Sequence, residues 1–279
     1  MIIYDCLVEK LGIKEYLPPY LNQSLEFQDL VTGVNFATGA TGYDPVSAQL
    51  ATVKSLDDQL ELFKDYKTRM TAAIGNSKAS KLISESAYLI FAGSNDITNT
   101  YFLTNLRRPQ YDVDSYTDLL VSFASKFYQA LYAEGVRTMG VMNIPPIGCL
   151  PSQRTLAGGL RRSCVDEYNK AALLFNSKLN TEIDSLNRNL SGAAIFFLDV
   201  YAPLLDLINN PSQAGFEVVD KGCCGTGNIE VSILCNRLEY LLTCKDATKY
   251  IFWDSFHPTE ATYRYIVDKT IKDDINFFY

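Results

Sequence analysis

The sequence predicts an α/β protein built on a parallel sheet covered by helices. Three observations carry that expectation. Short apolar, β-rich runs alternate with segments of helical periodicity, the pattern that parallel strands and crossover helices impose. The chain has 279 residues, 47% of them hydrophobic, which suffices for one substantial core. Polar, glycine-containing segments follow directly on strand candidates, where an open α/β sheet forms its ligand crevice. A single domain over residues 1–279 is the simplest division, since no repeat, low-complexity tract or linker interrupts the chain.

The elements follow in order. "GVNFA" (33–37) is the first strand candidate, and "TGATGYDP" follows it. Residues 46–74 read as one helix ending near Gly75. "AYLIFA" (87–92) is the next strand, leading into "GSNDITNTYF". Tyr116, Leu119, Leu120, Phe123, Phe127 and Leu131 then recur at spacings of three and four, which marks the buried stripe of a helix. "VRTMGVMNI" (136–144) and "AAIFFLDV" (193–200) are strands, separated by a second helical stripe at Tyr168, Phe175, Leu179, Ile183, Leu186 and Leu190. Both stripes are read as core faces. Pro258 is placed to open a final helix through about residue 273.

Composition excludes several functions. With 32 acidic and 25 basic residues the net charge is -7, and no Lys/Arg stripe is present, so nucleic acid is not an expected partner. No apolar run approaches the roughly eighteen residues needed to span a bilayer. The amino-terminal segment "MIIYDCLVEKLGIKEYL" carries acidic residues where a signal peptide is basic and then apolar, so no export signal is expected in this chain. The seven cysteines argue for an oxidising compartment, because six of them lie between residues 149 and 244. Cys149 and Cys164 flank a loop between a strand and the next helix and are expected to pair. Cys223, Cys224, Cys235 and Cys244 are expected to form two more bridges of open connectivity, leaving Cys6 over. Zinc fits poorly with adjacent cysteines and a lone distant histidine, so no metal is expected. Two sequons, at Asn22 and Asn189, agree with secretion.

The candidate chemistry lies in three loops. His257, the only histidine, stands three residues after Asp254 in "FWDSFHP". An imidazole held at Nδ1 by a carboxylate keeps Nε2 for taking a proton from a hydroxyl nucleophile. In "GSND", Asn95 is an amide donor at a strand end that could polarise a carbonyl oxygen, although Asn95 and Asp96 are also ordinary turn residues. In "NFATGATG", Gly39 and Gly42 mark a tight turn, or a place where a backbone N–H approaches a developing oxyanion. Each signal is weak alone.

Their order and combination are specific. "GVNFATGATGYDP", "FAGSNDITNTYF", "NIPPIGCLPSQRT", "YNKAALLFNSKL", "KGCCGTG" and "FWDSFHPTEA" together resemble the plant GDSL esterase/lipases of the SGNH hydrolase superfamily, and most closely the extracellular lipase branch. The resemblance covers essentially the whole chain. It implies a flavodoxin-like three-layer sandwich with a five-stranded parallel sheet ordered 2-1-3-4-5. It also implies hydrolysis of carboxylic esters of lipids or other acyl compounds by a Ser-His-Asp mechanism, with no cofactor. Matched residue by residue, Gly39 and Asn95 correspond to oxyanion-hole donors, His257 to the general base and Asp254 to the group that orients it.

One block is missing. No Gly-Asp-Ser stretch occurs in these 279 residues, and Ser94 is no substitute because it lies in the asparagine block. No serine has the G-x-S-x-G context of the other hydrolase elbow either. The resemblance therefore implies an N-terminally truncated form of a secreted parent, lacking the nucleophile and the first central strand. A chain of this kind is expected to be inactive as it stands, with an edge gap between 33–37 and 87–92. Two alternatives stay open: a non-catalytic protein that binds lipids or acyl esters, and a carbohydrate de-esterase or acyltransferase on the same scaffold. Nothing in the sequence specifies an oligomeric state.

Overall fold

The computed structural model describes residues 3–235 and 243–273. It is an α/β structure. Strands β1 (Ala87–Phe91), β2 (Thr138–Met142) and β3 (Ala194–Leu198) form a parallel sheet in the order β1-β2-β3. Ala87 lies opposite Thr138 and Thr138 opposite Ala194, so the three carboxyl ends, Phe91, Met142 and Leu198, share one edge. These strands coincide with three of the four strand candidates. A second parallel pair, β4 (Val218–Gly222) and β5 (Tyr250–Phe252), was not expected from the sequence.

Ten α-helices are found among the described residues: α1 (Ile3–Lys10), α2 (Phe27–Thr32), α3 (Pro45–Ala51), α4 (Leu56–Ile74), α5 (Asn76–Glu85), α6 (Val113–Ala133), α7 (Pro151–Ala157), α8 (Asp166–Asn189), α9 (Tyr201–Asn209) and α10 (Glu260–Asp273). Helices α6 and α8 are the crossovers of the sheet and pack against each other. The buried face of α6 is Tyr116, Leu120, Ala124, Tyr128 and Leu131, with Leu119, Phe123 and Phe127 half-buried at its margin. Tyr128 thus lies at the centre of a stripe drawn one position to one side. The α8 stripe matches expectation at Phe175, Leu179, Ile183 and Leu186.

Two expectations are corrected. Segment 33–37 is no strand of the sheet. It is extended, but Asn35 pairs only with the 18–20 segment, donating to the Pro18 carbonyl and accepting from Tyr20 N–H at 2.9 Å each. The Asn35 side chain takes the Ala37 N–H, a local turn that competes with a ladder. The helix expected over 46–74 is two helices. Thr52 adopts left-handed φ 54 at the end of α3, and Ser55 restarts the chain with a capping box to Asp58.

Candidate active site

The first half of the site grows from the end of β1. Asn95 follows it by four residues and leads into a short π-helix over Asp96–Leu103. Wide i→i+5 turns of this kind are rare and concentrate where side chains need unusual aim. The Asn95 Nδ2 donates to the Thr41 carbonyl at 2.9 Å, and its Oδ1 accepts from Asn99 Nδ2 at 3.1 Å. One amide hydrogen is thereby committed, and the second remains for another acceptor.

Asp96 ties the glycine loop to the same place. Its fully buried carboxylate accepts the backbone N–H groups of Tyr43 (2.8 Å) and Asp44 (3.1 Å) and the Ser47 hydroxyl. The approach is so close that a Cβ on residue 42 would lie 2.0 Å from Asp96 Oδ1, so Gly42 is required there. Gly39 is exposed, with no atom within 4 Å of where a Cβ would sit. Beside it Ala40 takes φ 65, a conformation that favours glycine. The loop is therefore anchored through Gly42 to Asp44 and presents residues 39–40 outward. Asp44 in turn binds Arg107 through two contacts, at 2.7 and 2.9 Å, and caps α3 through Val46 N–H. By residue type Asp96 is an ordinary turn residue. Its role depends on burial, which residue type alone does not show.

The second half lies after β5. Asp254 is 2% exposed, and its Oδ2 is 2.8 Å from His257 Nδ1. Its Oδ1 accepts from the N–H groups of His257 (2.6 Å) and Phe256 (2.8 Å). Burial alone would raise the Asp254 pKa, but the hydrogen bond and charge of His257, with those two backbone donors, outweigh it and hold the carboxyl below its ordinary range. The His257 side chain is 51% exposed, so the ring is gripped at Nδ1 and reaches solvent elsewhere. The loop closes on itself, with Trp253 N–H donating to the His257 carbonyl at 2.8 Å.

Among the described residues no hydrogen bond or ion pair joins Gly39 or Asn95 to His257. The His257 half is held instead from the loop after β2, which leads into α7, whose Ser152 N–H donates to the Ser255 carbonyl at 3.0 Å. The buried hydroxyls of Ser94 and Ser255 have no hydrogen-bond partner, so neither is in contact with a base that could activate it. All three disulfides form among the described residues: Cys149–Cys164 as expected, then Cys223–Cys244 and Cys224–Cys235, with Cys6 free and buried. No group of three or more metal-ligating side chains occurs among the described residues, and no described helix is long and apolar enough to cross a membrane.

A family profile described as GDSL-like Lipase/Acylhydrolase matches residues 7–270. The chain belongs to the GDSL-like lipase/acylhydrolase family. GDSL esterase/lipase EXL3 of Arabidopsis thaliana is 49% identical over 274 residues, covering 98% of this chain and 75% of the relative. GDSL esterase/lipase At5g42170 of the same plant is 46% identical over 267 residues, covering 96% and 71%. GDSL esterase/lipase EXL2 is 45% identical over 278 residues, covering 95% and 73%.

Proposed function

We propose that Asp254, His257, Asn95 and Gly39 form the base-and-oxyanion half of a carboxylic ester hydrolase site, and that these 279 residues by themselves do not turn esters over. The observation that carries this reading is the 2.8 Å contact of the buried Asp254 carboxylate with Nδ1 of a half-exposed imidazole. Held in that tautomer, His257 presents Nε2 as the acceptor for a serine hydroxyl proton and later returns the proton to the leaving alcohol. The second Asn95 amide hydrogen and the backbone of the Gly39 loop would meet the carbonyl oxygen as it becomes an oxyanion. The hydroxyl that attacks belongs to a Gly-Asp-Ser block, and no such stretch occurs in this sequence. Losing a nucleophile that acts as a unit with its base removes on the order of a million-fold in rate in serine hydrolases. The substrate is a small-molecule or lipid acyl ester, the class to which the esterase/lipase relatives point. Three disulfides and exposed sequon residues Asn22 and Asn189 favour an extracellular setting with both sites glycosylated.

Hydrolysis of p-nitrophenyl butyrate tests the reading. The purified chain is expected to match a His257→Ala variant, both at background. A chimera carrying a Gly-Asp-Ser segment ahead of residue 1 is expected to gain turnover that His257→Ala removes. Activity of the unmodified chain that disappears in His257→Ala would overturn the inactivity claim, and a folded chimera indifferent to His257 would overturn the site.

A further inference from the structure

Ser255 stands between Asp254 and His257, and both of its backbone polar groups are held from outside the loop. Its N–H donates to the Glu230 carbonyl at 2.9 Å, and its carbonyl accepts from Ser152 N–H at 3.0 Å. The residue is fully buried, so water cannot replace either bond without opening the structure. Where Ser255 sits sets the span across which Asp254 reaches Phe256 N–H, His257 N–H and His257 Nδ1.

The Glu230 side of this clamp is assembled by the Glu230 carboxylate itself. Oε1 accepts from Thr226 N–H at 2.9 Å. Oε2 accepts from the Thr226 hydroxyl at 2.9 Å and from the N–H groups of Asn228 and Ile229 at 3.2 Å each. Four donors on one carboxylate draw residues 226–230 into a closed turn, with the residue 230 carbonyl facing Ser255. The surrounding segment lies directly on the pair: a Cβ at Gly222 would be 2.6 Å from the Asp254 carbonyl carbon. Cys223 and Cys224 donate their N–H groups to the carbonyls of Phe252 (3.0 Å) and Trp253 (2.8 Å), and each is cross-linked onward by its disulfide. Burial works to raise the Glu230 pKa, but the backbone and hydroxyl donors hold it down at about 2, so the anion that gathers the turn persists at neutral pH.

We propose that Glu230 is a positioning residue for the Asp254–His257 pair: its carboxylate shapes the 226–230 turn, the turn's carbonyl fixes Ser255, and Ser255 so fixed keeps the Asp254 carboxylate on His257 Nδ1. The inference rests on the reading of that pair as the base half of the site. Glu230 makes no hydrogen bond to the imidazole and acts only through the backbone.

The lone histidine makes this measurable without turnover, since every imidazole signal in the NMR spectrum comes from residue 257. Ring 15N shifts at pH 8 report the Nδ1–H tautomer, and the Nδ1 proton reports the bond to Asp254. Asp254→Asn defines the uncoupled limit. Glu230→Ala is expected to move the His257 signals at least about half way to that limit, as supporting hydrogen bonds fix imidazole tautomer and orientation. Glu230→Gln keeps an acceptor oxygen for Asn228 and Ile229 N–H and is expected to restore most of the wild-type signal. Lys67→Ala, which breaks the pair between α4 and Glu134 just past the end of α6, controls for general loosening and is expected to change nothing. Wild-type ring signals in a folded Glu230→Ala chain would overturn the proposal, and so would an equal movement in Lys67→Ala. If Glu230→Ala does not fold, Thr226→Val removes one donor and takes its place, with a smaller movement expected and none overturning the idea. Should Asp254→Asn itself leave the ring unchanged, the reading of the pair falls instead.

Discussion

Two carboxylates near the site respond to burial with opposite outcomes, and the difference lies in their partners. Asp254 has an imidazole against it, and the net effect is a lowered pKa. Asp96 has no cation in contact: burial drives its carboxyl up to about 7, against the lowering effect of the Ser47 hydroxyl and Tyr43 N–H, and nearby Asp44 adds to the rise. The signs then follow from linkage. For Asp254 the folded state favours the anion, so its contribution is present above the ordinary carboxylate range and lost as pH falls below it. For Asp96 the folded state favours the proton, so its contribution is complete below about pH 4 and lost as pH rises through about 7. Asp96→Asn cannot titrate. Urea denaturation at pH 5 and pH 8 should therefore show the wild-type chain losing on the order of 2 kcal/mol relative to Asp96→Asn across that interval. An equal gap between the two chains at both pH values would show that Asp96 is not protonated in the folded state near neutrality. Because Asp96 also holds the backbone of Tyr43 and Asp44, the same titration loads the loop that carries Gly39.

Among the elements, α7 and its disulfide have the most direct bearing on the site. The Cys149–Cys164 bridge closes 15 residues around α7, and Ser152 of that helix holds the Ser255 carbonyl. Replacing both cysteines by alanine should lower stability by about 3 kcal/mol, the chain-entropy value for a loop of this length. Guanidinium denaturation of the oxidised chain and the double variant measures it, and a difference below about 1 kcal/mol would mean the unfolded loop is already constrained. The pairing of Cys149 with Cys164 was legible because the two cysteines flank one short connection. The strands β1, β2 and β3 were legible for a similar reason, since each is a compact apolar run. Strand β5 has three residues, and β4, "VVDKG", carries an aspartate and a lysine; such short, mixed segments give no periodicity to read. In contrast, "GVNFA" has strand composition without a strand's partner, because Asn35 satisfies local backbone groups instead. The Asp254–His257 pair was visible as a spacing, whereas Glu230 and Ser152 act through backbone contacts between segments far apart in sequence, and residue identity does not encode those.

Across the whole molecule the question is whether the three-stranded sheet and the β4–β5 pair unfold together. Buried side chains form one continuous cluster that includes Ile3 and Leu7 of α1, the sheet residues Ile90, Val141 and Ile195, Ile251 and Phe252 of β5, and Ile266 of α10. Helices α1 and α10 pack together across the chain, and ion pairs Lys10–Asp268 (2.6 Å) and Arg264–Glu9 (2.7 Å) lie along their contact. Those exposed pairs add little on their own, so coupling depends on the shared apolar core. At 279 residues a chain is large enough for intermediates to be common, which makes a single transition an informative outcome. The sole tryptophan, Trp253, sits between β5 and His257 and reports the β4–β5 side of the molecule, whereas far-UV circular dichroism is dominated by helices such as α6 and α8. If one core couples both sheets, Trp253 fluorescence and far-UV dichroism should give coincident urea transitions with a common midpoint and slope. A Trp253 transition that precedes the loss of helix would separate the disulfide-linked β4–β5 region as its own unit. The Asp254–His257 pair would then be lost while the loops of Asn95 and Gly39 were still formed, and the two halves of the site could not be treated as one preorganised arrangement.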